Sequence, residues 1–424
     1  MELKKYRLKE IATIWNGATP SSAHPEYYDG DIVWLTPKDL SDQKSKYIFN
    51  GERMISKEGF NSCSTHLLPK GTILMSSRAP IGLLAISGCE CCTNQGFKNI
   101  IVDSKQCDAE FLFYYLKFNM KRIVGLGSGT TFLEVSKASL ENFEIELPSL
   151  SRQQRIAHVL SSIDQKIALN RDINRNLEAM ARQLYYYWFV QFDFPDENGR
   201  PYKSSGGKMV WNEKLKREIP EGWEVDNILS ICEIKVGGTP SKSNNAYWDN
   251  GLIPFFGPTD VSDNIFQLDT IDHISHEGLA HCASSLFQVG DVILTARGSI
   301  GKLVIVGEPM AMNQSCYALV PKFPNTPYLY FLSKELIEWL KAKGSGSVFK
   351  SFNVQDVEYS QLCIAPYCII EKFCNSVDCI FNQIREHTKE IASLKTQRDE
   401  LLPLLMNGQV SITPQEVNCD LSHD

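Results

Sequence analysis

The sequence lacks the features that mark membrane proteins, secreted proteins and the common catalysts of nucleic-acid chemistry. No apolar stretch approaches the roughly 18 residues that a membrane-crossing helix needs. Met1-Glu2-Leu3-Lys4-Lys5 has no apolar run behind it, so no signal peptide is expected. Thirteen cysteines, an odd number in such a chain, read as free thiols in a reducing compartment, the cytoplasm. A basic excess is missing too: 43 Lys+Arg stand against 50 Asp+Glu, a formal charge of −7. Residues 1–147 balance at 17 to 17, residues 148–190 carry 6 basic against 3 acidic, and residues 220–365 carry 9 against 16. Phosphate neutralisation supplies most of the affinity of a lone nucleic-acid binder, which is therefore usually basic. If this chain binds nucleic acid, a partner should supply much of the attraction. The Asn/Asp-Pro-Pro-aromatic phrase of amino methyltransferases is absent, and no acidic nuclease cluster recurs along the chain.

What the chain does contain is a duplication. Gly17-Ala18-Thr19-Pro20-Ser21 returns as Gly237-Gly238-Thr239-Pro240-Ser241, and Thr36-Pro37-Lys38-Asp39 as Gly257-Pro258-Thr259-Asp260. Arg78-Ala79-Pro80-Ile81-Gly82 returns as Arg297-Gly298-Ser299-Ile300-Gly301, and Asn94-Gln95 as Asn313-Gln314. Gly127-Ser128-Gly129 with Phe132 returns as Gly344-Ser345-Gly346 with Phe349. Blocks that recur in one order identify two copies of one module. Short β-branched runs (Ile73–Met75, Asn99–Val102, Val292–Leu294, Tyr317–Val320) between Gly, Pro, Ser and Asn predict strands and loops. A helix is predicted over Ala109–Ile123 and again over Pro327–Lys343. Each copy is therefore an α/β module.

The segments after the modules have a different period. From Ser151 to Trp188 one stripe runs Ile156, Ile163, Asn170, Leu177, Leu184, and a second, three residues on, runs Val159, Lys166, Ile173, Met180, Tyr187. After Pro366 the stripes are Ile370, Val377, Ile384, Ile391, Arg398, Leu405 and Phe373, Ile380, His387, Leu394, Leu401. A seven-residue repeat sustained this long predicts a coiled-coil seam. Ser151 with Gln154 reads as a capping box at the first helix start. The expected division is 1–147 and 220–365 for the modules, 148–190 and 366–408 for the helices, 191–219 for a linker and 409–424 for a tail. If the helices were parallel, the linker would have to run back along the whole first helix before the second module could begin, whereas antiparallel pairing needs only a short connection. The helices should therefore be antiparallel, with the modules at opposite ends about a pseudo-twofold axis. Such pairing sets Ile163 opposite Leu394, Leu177 opposite Ile380, Leu184 opposite Phe373 and Ile173 opposite Ile384. The polar interruptions Asn170 and His387 then face each other.

Several phrases now carry a family resemblance. Trp188-Phe189-Val190-Gln191-Phe192-Asp193-Phe194-Pro195, then Ser204–Val210 and Ile219-Pro220-Glu221-Gly222-Trp223, follow the first helix. With the repeated Gly-x-Thr-Pro-Ser and Arg-x-x-Ile-Gly, the chain resembles, over essentially its whole length, the specificity subunit of type I restriction–modification enzymes. The resemblance implies two target-recognition domains alternating with helical spacers. It also implies a role in reading a bipartite, asymmetric site on double-stranded DNA without catalysis. Two methyltransferase subunits would dock on the spacers and motor-nuclease subunits would join them. Those partners would use S-adenosylmethionine, ATP and Mg, and this chain would bind no cofactor or metal. Arg152-Gln153-Gln154 departs from the Glu-Gln pair the family often places there.

Base readout requires side chains such as Arg or Lys for guanine and Asn or Gln for adenine. The shared Arg78, Arg297, Asn94, Gln95, Asn313 and Gln314 are suitable in type, as are Lys98 and Lys302. The bland alternative is that Arg pairs with a carboxylate and Asn-Gln satisfies loop backbone. Two readers of different half-sites should differ at base-reading positions, so unshared residues are equal candidates: Thr36, Lys38, Thr259 and Ser299. Cys89, Cys91, Cys92 and Cys107 could hold zinc, but the first three have no cysteine counterparts in the second copy. A coiled-coil scaffold with two protein-binding modules is the competing function. If the helices act as a ruler, inserting one whole heptad should move one module by about 10 Å at ~1.5 Å per residue. Mapping the methylated motif should then show both half-sites unchanged and the gap longer by about three base pairs at ~3.4 Å each. An unaltered gap would refute the ruler.

Overall fold

Apolar strands in the first copy build a five-stranded sheet in the order Ala12–Asn16, Phe97–Val102, Ile73–Ser76, Leu84–Ser87, Tyr47–Ile48. The neighbours are antiparallel except the last pair, which is parallel. Ile73–Ser76 is buried along its whole length, which explains its unbroken apolar run in place of alternation. A three-stranded sheet of Arg53–Ile55, Tyr28–Leu35 and Cys92–Thr93 accompanies it. The second copy repeats both sheets: Cys232–Val236, Cys316–Pro321, Val292–Thr295, Leu303–Val306, Phe266–Gln267, and then His273–Ile274, Ile253–Phe256, Ala311–Met312. A two-strand clip fastens the ends of each module, Lys4–Arg7 with Glu144–Leu147 and Glu224–Asp226 with Leu362–Ile364. The computed structural model describes residues 3–41, 43, 45–129, 133–262, 264–343 and 351–410. Phe132, Gly344-Ser345-Gly346 and Phe349 of the repeated Gly-Ser-Gly phrase lie outside them.

The longer helices are α1 (Ala109–Phe118), α2 (Leu150–Tyr185), α3 (Thr326–Lys343) and α4 (Tyr367–Met406). The first is shorter than expected, because Asn119 separates it from the turn Met120–Val124. The start of α2 differs as well. It begins at Leu150, so Ser151 lies inside it, and both Ser151 and Gln154 are exposed. Gln153 does the anchoring: it is buried, donates to the Pro148 carbonyl at 2.9 Å and accepts from the Asp108 N–H at 3.0 Å. Among the described residues no helix is long and apolar enough to cross a membrane.

By contacts the chain divides into two units, Met1–Leu169 with Ser393–Asp424 and Asn170–Ala392, so both long helices are cut near their middles. Within the first unit, Ile156, Ala157 and Leu160 of α2 share one core with Leu402, Leu405 and Met406 of α4 and with Phe111, Leu112 and Tyr114 of α1. Asp164 accepts from the Tyr114 hydroxyl at 2.5 Å and pairs with Arg398 at 2.8 Å. Beside it, buried Lys46 pairs with Glu110 at 3.0 Å. Burial alone would raise the Glu110 pKa, but hydrogen bonds from Ser161, Tyr47 and Lys46 outweigh it and hold the carboxyl below its ordinary range. Within the second unit, Ala181 and Tyr185 of α2 and Trp188 of the π-helical turn Tyr186–Val190 that continues it share a core with Ile370, Phe373, Val377, Phe381 and Ile384 of α4 and with Tyr328 and Phe331 of α3. In the first unit Arg152 meets Val410 and Asp164 meets Arg398, and in the second Asn170 meets Glu390 and Asn174 meets His387, so in each unit the two segments are antiparallel.

The seam differs from expectation in two respects. Ile370, Val377, Ile384, Ile391 and Leu405 are buried as expected from the first stripe, but apart from the buried Phe373 the second stripe lies four residues on, not three. On α2 and the turn that continues it, the stripe is Leu160, Ile167, Ala181 and Trp188, while Met180 is 59% exposed and Tyr187 is also exposed. On α4 it is Cys374, Phe381, Thr388 and Leu402. A 3–4 alternation has a heptad period on either side, and here the module bodies set the side. Phe381 packs on Phe266, Tyr330 and Phe331, away from a pure helix–helix seam. Of the residues placed in the seam, Asn170, Phe373 and Ile384 are buried, whereas Ile163, Ile173, Leu177, Leu184, Ile380, His387 and Leu394 are half-buried. The register is also shifted. Asn170 meets Glu390 at 2.7 Å and His387 meets Asn174 at 2.9 Å, so Asn170 and His387 do not face each other. Leu160→Ala is therefore expected to destabilise its unit by about 2–5 kcal/mol, and Met180→Ala to stay within about 0.5 kcal/mol. Calorimetric unfolding of the two variants checks the assignment.

Candidate nucleic-acid interface

Four loops interlock at one end of each module. In the first copy they are the Gly17–Ser21 loop, the turn at Thr36–Asp39, the Ser77–Leu83 loop and the Asn94–Gly96 turn. The Ala18 N–H donates to Thr93, Asn94 to Leu35 and Ser77 to Gly96, at 2.9, 2.9 and 2.7 Å. In the second copy Gly238 donates to Met312, Asn313 to Phe256 and Ala296 to Ser315, at 3.0, 2.9 and 2.8 Å. The recurring glycines follow from this crowding. A Cβ on Gly17 would lie 2.2 Å from the Asn94 carbonyl oxygen, and one on Gly237 would lie 2.0 Å from that of Asn313.

The repeated Arg-x-x-Ile-Gly phrase is a rigid hairpin loop. The Ser76 hydroxyl donates to the Pro80 carbonyl at 2.7 Å and accepts from the Leu83 N–H at 2.8 Å. Thr295 does the same in the other copy, donating to Ser299 and accepting from Lys302 at 3.0 Å. Gly82 and Gly301 have φ of 98° and 76°, and a Cβ on them would strike Met120 and Ile337. The loop thus carries an arginine at its tip. Arg78 is half-buried, Arg297 is exposed, and neither has a side-chain partner among the described residues. Ser299 and Lys302 are exposed on the same loop as Arg297.

Other expected contacts are differently employed. Asn94 accepts from the Gly96 N–H at 2.8 Å and Asn313 from the Ser315 N–H at 2.9 Å. The hydroxyls of Thr19 and Thr239 bond to Gln95 and Gln314, tying one loop to the next. In the shared Asn-Gln pairs the asparagine thus closes its own turn and the glutamine ties that turn to the next loop. Lys98, expected at the surface, is buried: it pairs with Glu134 at 3.1 Å and meets Ser77 at 3.3 Å. Tyr317, against Phe352, stands at the corresponding strand position of the second copy. Thr36 donates to Asp39 through its N–H and its hydroxyl, each at 2.7 Å, which stiffens the turn that carries exposed Lys38. Thr259 is exposed at the corresponding turn.

Two exposed residues on this end escaped the sequence reading, Glu52 and Ile271. Each donates its N–H to the turn aspartate, Asp39 or Asp260, at 2.7 and 2.8 Å. The signal available in the sequence was their dissimilarity between copies. Burial pushes the thiols of Cys91, Cys92 and Cys107 up to about 12, 11 and 12, so all three are protonated near neutrality. Among the described residues no cluster of metal-ligating side chains is found.

The family model described as the type I restriction modification DNA specificity domain matches residues 1–179 and 220–366. The MjaIX specificity subunit of a type I restriction enzyme from Methanocaldococcus jannaschii is 32% identical, over 96% of this chain and 93% of its own. The HindI specificity subunit from Haemophilus influenzae is 26% identical, over 71% of this chain and 77% of its own. The crystal structure of the type I restriction–modification S subunit from M. genitalium shares the fold, with a TM-score of 0.59 at 16% identity, covering 97% of both chains. A duplicated α/β module, two long helices and a family match across both copies lead to one conclusion: the chain belongs to the type I restriction–modification specificity-subunit family.

Proposed function

We propose that each module reads one half of a bipartite, asymmetric DNA site through its end of interlocked loops. The observation that carries this is a contrast inside the repeat. The residues that knit the loops are shared (Thr19 and Thr239, Gln95 and Gln314), while the exposed tips differ, Lys38 against Thr259 and Pro80 against Ser299. A common scaffold with divergent tips suits two readers of unlike sequences. Arg78 and Arg297, alike in both copies and without side-chain partners among the described residues, suit phosphate or guanine contact. Lys302 and Ser299 supplement the second tip.

In this reading the chain holds no catalytic centre and no cofactor. Two methyltransferase subunits dock on α2 and α4, and motor-nuclease subunits join them in the cytoplasm. S-adenosylmethionine, ATP and Mg serve those partners. The charge of −7 supports this division of labour, because the partner must then supply much of the attraction to the DNA backbone.

The test is a map of methylated adenines across the genome of a host lacking its own methylation. The host would carry the cognate methyltransferase with or without this chain. A single bipartite motif should be present only with the chain; methylation independent of it would overturn the reading. On duplexes carrying that motif, adding the methyltransferase should raise affinity by orders of magnitude at moderate salt. Tight, salt-resistant binding by the isolated chain would contradict the proposal. Arg78→Ala and Arg297→Ala should each weaken binding of the complex by roughly tenfold or more, within the ~1–3 kcal/mol of a good base contact. Their thermal midpoints should stay unchanged, since no side-chain partner is lost.

A further inference from the structure

The turn aspartates Asp39 and Asp260 occupy equivalent places and hold equivalent backbone. Asp39 accepts from the Thr36 and Glu52 N–H groups, both at 2.7 Å, and Asp260 from those of Gly257 and Ile271, both at 2.8 Å. Positions 38 and 52 therefore correspond to 259 and 271. In the first copy the side chains there meet: Lys38 Nζ lies 2.7 Å from Glu52 Oε2, with 68% and 65% of the two side chains exposed. The second copy has no charge at either position. It presents an exposed threonine and Ile271, which is 78% exposed. A β-branched aliphatic side chain this exposed, on a turn held by its own backbone bond, contributes no core burial. It lies on the end proposed to face DNA, beside the tip residue that differs between copies.

The chemistry of base edges separates the two pairs. Lysine suits the guanine O6 and N7 acceptors, and glutamate suits the cytosine N4 donor, so Lys38 with Glu52 matches a G·C pair. Nothing polar in the major groove suits isoleucine; the only apolar group displayed there is the thymine C5-methyl. We propose that positions 38/52 and 259/271 are paired specificity determinants. On this proposal the first copy takes a G·C pair with Lys38 and Glu52, and the second takes an A·T pair by packing Ile271 and the Thr259 methyl on the thymine methyl. The inference rests on the reading of each module as a half-site reader. Map of the wild-type motif tests that reading separately: with no bipartite motif the reading fails, and with a motif present the following outcomes concern these positions alone.

Deoxyuridine lacks only the thymine methyl, so it removes the proposed contact and leaves base pairing intact. Duplexes carrying the mapped motif would have the thymines of the second half-site replaced one at a time by deoxyuridine, and binding to the chain–methyltransferase complex would be measured. One replacement should weaken binding roughly fourfold, the worth of one buried methyl group. The complex carrying Ile271→Ala should lose most of that discrimination at that position, keeping only what the Thr259 methyl supplies. Ile271 has an exposed side chain, and an unchanged thermal midpoint confirms that the variant is folded. The double variant Thr259→Lys, Ile271→Glu should change the methylated motif at that one base pair, from A·T to G·C, and leave the first half-site unchanged. A second half-site without an A·T pair, indifference of the wild-type complex to every deoxyuridine, or equal sensitivity in the Ile271→Ala complex would each overturn the proposal.

Discussion

The constraint on which the rest of the structure depends is that neither module closes its core alone. In the first unit the sheet and α1 leave an apolar face that Ile156, Ala157 and Leu160 cover from one long helix and Leu402, Leu405 and Met406 from the other. In the second unit the cover is Ala181, Tyr185 and Trp188 with Ile370, Phe373, Val377 and Phe381. Burying a large aliphatic or aromatic side chain is worth about 1.5–3 kcal/mol, so each set contributes on the scale of a whole domain's net stability, ~5–15 kcal/mol. The long helices are thus core elements at both ends, not spacers laid outside finished domains. This explains why contacts divide the chain through the middle of α2 and α4 and not at the module boundaries.

The same constraint shows what could be read in advance. The duplication, the α/β character of each copy, the two long antiparallel helices and the family were legible, because identical phrases and a heptad period are properties of the chain itself. The side of the second stripe was not. Leu160, Ile167, Ala181 and Trp188 are as apolar in sequence as Val159, Ile173 and Met180, and only the module body decides which set is buried. The register followed the same logic. Asn170 finds Glu390 and His387 finds Asn174, because rotating each helix toward its module moves every facing pair.

At the loop ends, residue type and recurrence were visible but employment was not. Asn94, Gln95, Asn313 and Gln314 have the right groups for adenine, yet the two asparagines are bonded to the backbone of their own turns and the two glutamines to the threonines of the neighbouring loops. Lys98 has the right charge for DNA, yet it sits in a buried ion pair with Glu134. The recurring Thr-Gln pairs proved to be scaffold and most exposed tip residues diverge, but Arg78 and Arg297 recur at the tips and the unshared Lys98 is buried. This follows from what a duplicated reader needs: one way to hold its loops and two ways to end them. The acidic second module, with 9 basic against 16 acidic residues, places further weight on shape and base-edge chemistry and less on charge.

On the proposed function, the two modules specify separate halves of one site. Replacing residues 220–365 by the equivalent module of a relative that reads another sequence, and mapping methylation by the reassembled complex, tests it most directly. One half of the new motif should be that of the donor and the other half unchanged. A motif altered in both halves, or in neither, would contradict it.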